Sequence, residues 1–284
     1  MSPRNRTAER TPSDLDLESS VLRSMDGEDP RLFPFLPELL VDLEELGADP
    51  RLIMALLSDH GGLPGPGSRV LDLGCGKGAV PLRLAEQTEC ECLGLDAVPA
   101  FIETARRSAV SRGLEARCRF EVADIRRWDP GSSRFDLVLL GSIGPVLGPP
   151  EETLRRVRGL LAPGGRVAMD EVYARAGVAP RNPLYGSREA LMSAIGSAGF
   201  VVVGEASATA EVQEAGHRSM LEAIRTRAEE LSQRHPELRS VFEAYALAQD
   251  REVAVLSEDV VTVTLLVRDR AVPPAPVAPG PDRG

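Results

Sequence analysis

Cysteine and histidine are scarce in this sequence. The 284 residues include four cysteines, Cys75, Cys90, Cys92 and Cys118, in or near expected core elements and with no paired C-x-x-C arrangement. Neither a disulfide framework nor a zinc site is supported, and a reduced, cytoplasmic setting fits best. The three histidines, His60, His217 and His235, lie far apart and form no i, i+4 pair, so no bound metal is expected. No apolar run approaches the ~20 residues needed to cross a bilayer, and the N-terminus lacks the apolar core of a secretory signal. A soluble protein with no membrane partner follows. Basic charge is in deficit, 33 Lys and Arg against 43 Asp and Glu, for a net charge of −10. That balance counts against a general nucleic-acid surface, which needs clustered basic residues.

The length suffices for one large α/β domain with additions or for two small ones, and the single decorated domain is preferred. Its organising stretch is Val70-Leu71-Asp72-Leu73-Gly74-Cys75-Gly76-Lys77-Gly78-Ala79-Val80. An apolar run stops at an acid, passes through three alternate glycines and resumes with helix formers, which reads as strand, tight turn and helix. Glycine allows positive φ and lets backbone lie against a ligand, while the free N–H groups of the following helix suit a carboxylate or phosphate. The spacing is G-x-G-x-G, not the G-x-G-x-x-G of dinucleotide-binding folds. An ordinary glycine-rich turn is the plainer alternative.

With Asp72 just before it, this turn closely resembles motif I of the class I S-adenosylmethionine-dependent methyltransferases, of the small-molecule type. The resemblance is close from about Arg69 to Phe200 and loose over the final strand. It implies S-adenosylmethionine as cofactor and S-adenosylhomocysteine as product. It also implies a Rossmann-like α/β fold: a seven-stranded, mostly parallel sheet with an antiparallel last strand and helices on both faces. Asp72, Gly74, Cys75, Gly76 and Gly78 would then run beside the amino-acid half of the cofactor.

The second strand, 91–96, ends in an acid about twenty residues after the turn, where nucleotide-binding folds place a ribose-binding carboxylate. Asp96, followed by Ala97, is the candidate; capping the helix opened by Pro99 is a compatible role. After a third strand at 118–122 come Ala123-Asp124-Ile125. Here the resemblance implies that Asp124 takes the adenine amino group with an apolar neighbour against the ring, the plainer alternative being a turn cap. Gly141-Ser142, after a fourth strand at 135–140, would face the methyl group and the substrate. A helix at 151–161 with acids first and bases last matches the helix dipole, and Pro163-Gly164-Gly165 is a further mark of the family. The Asn/Asp-Pro-Pro-aromatic run of base-methylating enzymes is missing, which disfavours nucleic acid as substrate.

The fifth strand, 166–169, is expected to end in Asp170-Glu171-Val172-Tyr173 beside the cleft. Paired acids there suggest a magnesium site of the catechol-methylating kind, but Gly141-Ser142 supplies no third acid. Glu171 and Tyr173 are therefore the candidates for substrate recognition or acid–base catalysis, with simple capping as the alternative. A loop at 174–186 with Pro180, Pro183 and Tyr185 follows, then a helix at 187–198, a strand at 200–203, helices broken at His235-Pro236 and a strand at 259–267 expected antiparallel at the sheet edge.

The expected division is a disordered tail at 1–13, an N-terminal helical cap at 14–62, a cofactor-binding domain at 68–270 with a helical insertion at 211–250, and a disordered tail at 271–284. In the cap, Phe33 and Phe35 either extend the core or roof the cleft, and the insertion serves as a substrate-side lid or as a homodimer interface. The function implied is methyl transfer to a small molecule by in-line displacement, in which alignment of the reactants does most of the work. The alternatives are a cofactor-binding sensor or scaffold without turnover, a nucleic-acid or protein methyltransferase, and an NAD-dependent oxidoreductase, the last disfavoured by the glycine spacing.

Overall fold

The computed structural model describes residues 16–182 and 185–271. Pro183, Leu15 and the expected tails, except Ala271, lie outside the described residues.

Local chemistry sets the first helices. Helix α1 (Leu17–Ser24) starts where the Asp16 carboxylate accepts the Ser19 N–H, an N-cap that satisfies one of the free N–H groups of the first turn. A 3-10 turn at Pro30–Phe35 leads into the short α2 (Leu36–Leu39). Helix α3 (Pro50–Asp59) combines an Asp49 cap with proline at its first position. The sheet units follow: β1 (Arg69–Leu73), α4 (Ala79–Thr88), β2 (Glu91–Asp96), α5 (Pro99–Ser111), β3 (Cys118–Val122), β4 (Phe135–Leu140), α6 (Pro150–Arg158) and β5 (Leu161–Ala174). The chain closes with α7 (Arg188–Ser197), β6 (Phe200–Ala206), α8 (Ala210–Arg234), α9 (Arg239–Glu258) and β7 (Val260–Asp269).

The strand order is β3-β2-β1-β4-β5-β7-β6. The β1–β2, β1–β4, β2–β3 and β4–β5 pairs are parallel, while β7 runs antiparallel to both its neighbours. Two expectations are corrected here. The last strand is not at the edge; it is inserted between β5 and β6, and β6 forms the border. The Asp170–Tyr173 stretch is not a strand end, because β7 pairs with it from Asp170↔Thr264 to Ala174↔Val260 and keeps it extended.

Each face of the sheet has its own core. Val70, Cys92, Phe120, Leu139 and Ala168 pack against α3, α4 and α5, whereas Leu71, Leu73, Val138, Val167 and Met169 pack against α6 and α7. The period-two alternation of strand side chains sorts the two sets. All four cysteines are buried, with the Cys90 and Cys92 sulfurs 3.6 Å apart.

A third core lies beyond the sheet. Leu22, Leu32, Leu36, Leu39 and Leu40 from the N-terminal segment pack with Ile224, Leu231, Val241 and Phe242 of α8 and α9, and with Val98 and Phe101 at the start of α5. The N-terminal helices and the late insertion are thus one cap built from both ends of the chain. Phe35 belongs to this core, edge-on to Phe242 at 5.1 Å and to His235 at 5.0 Å.

Candidate active site

The turn after β1 takes the backbone conformation its glycines permit. Gly74, Gly76 and Gly78 have φ of 76°, 52° and 80°, the left-handed region that favours glycine. At Gly78 a Cβ would also lie 2.8 Å from the Phe120 ring and 3.1 Å from the Ala105 methyl, so the turn is pressed against β3 and α5. The N–H groups of Gly74 and Cys75 donate to the Leu95 carbonyl at 2.8 and 2.9 Å.

Asp96 completes that attachment. One carboxylate oxygen accepts the Gly76 N–H at 2.9 Å and the other accepts the Val98 N–H at 2.8 Å. The side chain is only 7% exposed, and burial raises its pKa. Asp96 therefore holds the glycine turn and the start of α5 in place, with Ala97 between them.

Asp72, Asp96 and Asp170 stand on the same face of the sheet. Asp72 is 4% exposed with its pKa raised to about 8, first by burial and then by the like charges of Asp96 and Asp170. Asp170 accepts from the Thr264 hydroxyl at 2.6 Å and the Ser142 hydroxyl at 3.1 Å. Ser142 has φ of 53°, an unusual conformation for a residue with a side chain. Such strain persists only where the surroundings enforce it. Here Asp170 grips the hydroxyl while Ile143, the next residue, reaches over Gly74, its Cγ2 only 2.6 Å from where a Cβ would be.

Because its native pKa lies above that of an unfolded aspartate, Asp72 takes up a proton on folding between roughly pH 4 and pH 8. Stability from this group is present at low pH and falls by about 1.4 kcal/mol per unit as pH rises through that window. Asp72→Asn should thus gain about 2–4 kcal/mol over wild type between pH 5 and pH 8, read from denaturant midpoints. Parallel pH profiles for the two proteins would refute a buried, protonated Asp72.

Asp124 is engaged differently. Its carboxylate accepts the Arg126 N–H at 3.0 Å and forms a two-pronged ion pair with the Arg126 guanidinium, Nε at 2.8 Å and a terminal nitrogen at 2.8 Å. These bonds hold its pKa below the usual carboxylate value. The turn-capping role is observed, with Ala123 and Ile125 half-buried beside it. Glu171 and Tyr173 share the sheet face opposite Asp170. Glu171 is half-buried, and burial followed by the Asp170 charge raises its pKa to about 7. Arg188 forms an ion pair with Glu205, and Tyr173 lies within its electrostatic reach.

The sequence reading missed what lies over the glycine turn. Residues 42–49 of the cap run across it as a strap. Leu46 Cδ1 sits 3.1 Å from where a Cβ on Gly76 would be, and Ala48 Cβ sits 2.7 Å from the corresponding point on Gly141. The cavity left between strap and turn, lined by Leu46, Ala48, Asp72, Gly76 and Gly141 among others, is about 30 Å³. That holds water but not a nucleoside. Lys77, the sole lysine of the chain, fixes the strap from below. Its Nζ donates to the carbonyls of Leu40 and Leu43 at 2.5 Å each and of Val41 at 3.2 Å. The side chain is 9% exposed, and burial lowers its pKa. A lone lysine inside a glycine turn was the available signal, but its partners lie more than 30 residues away.

The residues fit a cationic, nucleoside-bearing ligand: a glycine cradle without side chains, buried acids on one face, and a cover that must lift. Among the described residues no helix is long and apolar enough to cross a membrane, and no cluster of His, Cys, Asp and Glu has metal-binding form.

A methyltransferase domain family model matches residues 64–215. Aklanonic acid methyltransferase DauC of Streptomyces sp. (strain C5) is 37% identical over 123 residues, covering 42% of this chain and 55% of that protein. Methyltransferase GfsG of Streptomyces halstedii is 32% identical over 111 residues, covering 38% and 39%. These alignments span about half or less of the curated relatives. Among solved structures, a SAM-dependent methyltransferase from Geobacter sulfurreducens in complex with S-adenosyl-L-homocysteine superposes with a TM-score of 0.70 at 21% identity, covering 86% of this chain and 99% of that one. The family match takes in the glycine turn, the three buried acids and the whole run from β1 to β6, more than half of the sequence, so the chain belongs to the methyltransferase domain family.

Proposed function

We propose that the protein transfers a methyl group from S-adenosylmethionine to a small-molecule acceptor. The observation that carries this reading is the G-x-G-x-G turn, held in left-handed conformation by Asp96 and backed by Asp72 and Asp170. When bound, the sulfonium supplies a methyl group already activated for displacement. The chain's residues then bind, orient and exclude water. The glycine turn accepts close backbone approach, a bound cation draws the buried acids into their ionised form, which offsets its charge, and the strap closes the cleft, so that alignment in a dry site lowers the barrier. The cap built from residues 14–62 and the insertion 211–250 serves as the cover of the acceptor. The acidic balance, the absence of a base-methylating motif and this cover support a small molecule over nucleic acid, and four buried free thiols support a cytoplasmic location.

Calorimetric titration of the full chain with S-adenosylmethionine, S-adenosylhomocysteine and NAD tests the reading. The first two should bind and NAD should not. Binding of NAD alone would overturn it.

Glu171 is the candidate base. A carboxyl with pKa near 7 is half ionised at working pH, so the rate should climb as pH rises through about 7 and the carboxylate forms. Glu171→Gln is expected to lower kcat about 100-fold and remove that rise while leaving S-adenosylhomocysteine affinity unchanged. A wild-type pH–rate profile in the variant would exclude Glu171 from proton transfer.

A further inference from the structure

Three of the four cysteines form a group that the glycine turn and its acids do not use. Cys92 and Cys118 are register partners on the neighbouring strands β2 and β3, so their side chains leave the same face of the sheet. Both thiols point at one acceptor, the Pro81 carbonyl in the first turn of α4, Cys92 at 3.4 Å and Cys118 at 3.8 Å. Cys90 stands just before β2, and its sulfur lies 3.6 Å from that of Cys92. Cys75 is separate, its thiol turned to the Gly76 carbonyl at 3.8 Å.

A buried cysteine is ordinarily a small apolar side chain. Two thiols in direct contact, on a backbone whose spacing admits a bond between them, are a reactive pair as well. Two residues of extended chain span about 6.6 Å, inside the Cα separation that a disulfide tolerates. The sulfurs need to approach by only about 1.5 Å more. Strand pairing is spared by that movement, because the β1–β2 register begins at Glu91 and Cys90 lies outside it. The thiols are also unequal. The hydrogen bond from Cys92 lowers the pKa of Cys90, while Cys118 first and Cys90 second raise that of Cys92. One member is thus the readier thiolate and the other holds its proton, an asymmetry that suits stepwise thiol oxidation. The way in is a cavity of about 310 Å³ between α5 and β3, lined by Cys118 with Arg106, Ala109 and Phe120, which brings a small solute to the thiol beside Cys92.

We infer that Cys90 and Cys92 form a reversible oxidative modification site, at which hydrogen peroxide joins the two thiols in one disulfide. The Cys90 thiolate attacks a peroxide oxygen, the O–O bond breaks, and the hydroxide released takes up the proton that Cys90 gave up and leaves as water. The Cys92 sulfur then attacks the sulfur of the Cys90 sulfenic acid. An S–S bond forms, the S–O bond breaks, and the hydroxyl leaves with the Cys92 proton as a second water. Two thiols and one peroxide thereby give one disulfide and two waters, the sulfurs oxidised and the peroxide oxygens reduced. The new bond removes the S–H that Cys92 directs at Pro81, so oxidation reaches the first turn of the helix that leaves the glycine turn. The site does not rest on the methyltransferase reading.

The test treats the full chain, folded and near pH 7.5, with enough hydrogen peroxide to add oxygen to methionine in the same sample. Free thiols are then blocked with iodoacetamide during unfolding, and the chain is digested with trypsin without reduction. Residues 84–106 make one tryptic peptide that holds Cys90 and Cys92 and no other cysteine. It should be recovered unalkylated and lighter by two hydrogen atoms, and dithiothreitol added before blocking should restore the doubly alkylated form. Far-ultraviolet circular dichroism of the oxidised sample should match that of untreated protein, which places the bond in the folded chain. In Cys92→Ala, Cys90 lacks its resolving thiol and should accumulate sulfinic and sulfonic acid at least tenfold above wild type, whereas Cys118→Ala should leave the disulfide yield unchanged. The map of the wild-type chain decides the matter even if a variant fails to fold. Recovery of peptide 84–106 with both thiols alkylated, a disulfide joining it to Cys118, or oxygen gain on its cysteines that dithiothreitol does not reverse would each overturn the site.

Discussion

Asp96→Ala is expected to weaken S-adenosylhomocysteine binding at least a hundredfold and to destabilise the protein by about 2–6 kcal/mol. The stability figure follows from the two buried N–H groups, Gly76 and Val98, that lose their acceptor, at roughly 1–3 kcal/mol for each orphaned donor. For a chain of this size that is a fall in Tm on the order of 5–15 °C. The affinity loss is expected from two sources, the carboxylate proposed to hold the ribose and a glycine turn no longer tied to α5. Asp96→Asn separates them: its oxygen keeps one of the two N–H bonds while its NH₂ cannot accept the other, so stability should fall by about half as much. An unchanged Tm in Asp96→Ala would show that the turn is held by other means and leave only the ligand role.

That double duty shows where the sequence was readable and where it was not. The glycine turn and the acid at each of the first two strand ends are local patterns, and each predicts one local element. Repeated strand–helix units with right-handed crossovers imply a mostly parallel sheet, but no local pattern announces that β7 is inserted between β5 and β6. The partners of those residues are another matter. The sequence places Asp96 twenty residues from Gly76, but the return of its carboxylate to that N–H depends on the β1–β2 pairing. Likewise, nothing between residues 14 and 62 announces that Leu22, Leu36 and Leu39 share a core with α8 and α9, because both halves are amphipathic helices that alone could face anything. Asp170 and Glu171 looked like a pair, yet neighbours on a strand point to opposite faces. Once β7 extended that strand, Asp170 joined Asp72 while Glu171 joined Tyr173.

Lys77→Met should release the strap. The ammonium caps the carbonyls of Leu40, Val41 and Leu43 at once, a task suited to a compact group with three tetrahedral donors and unsuited to the planar fork of arginine. The 33 Lys and Arg of the sequence include lysine only here, so arginine serves everywhere that a surface ion pair is wanted and lysine where three converging acceptors demand it. Methionine keeps the length and apolar stem but leaves those carbonyls unsatisfied, for an expected loss of about 2–4 kcal/mol. Lys77→Arg should lose nearly as much despite retaining the charge. The global midpoint alone does not distinguish a loosened strap from a weakened core, so the decisive readout is local. Amide exchange over residues 41–49 should accelerate by at least tenfold, while exchange in β1 and β4 rises no more than the loss of global stability requires. If the strap must lift before a nucleoside enters a space of about 30 Å³, loosening it also raises the fraction of molecules open to ligand. S-adenosylhomocysteine should then associate faster with Lys77→Met than with wild type, even if the final complex is weaker because its cover is less secure. Slower or unchanged association, together with unaltered exchange over 41–49, would mean that the strap does not gate the glycine turn.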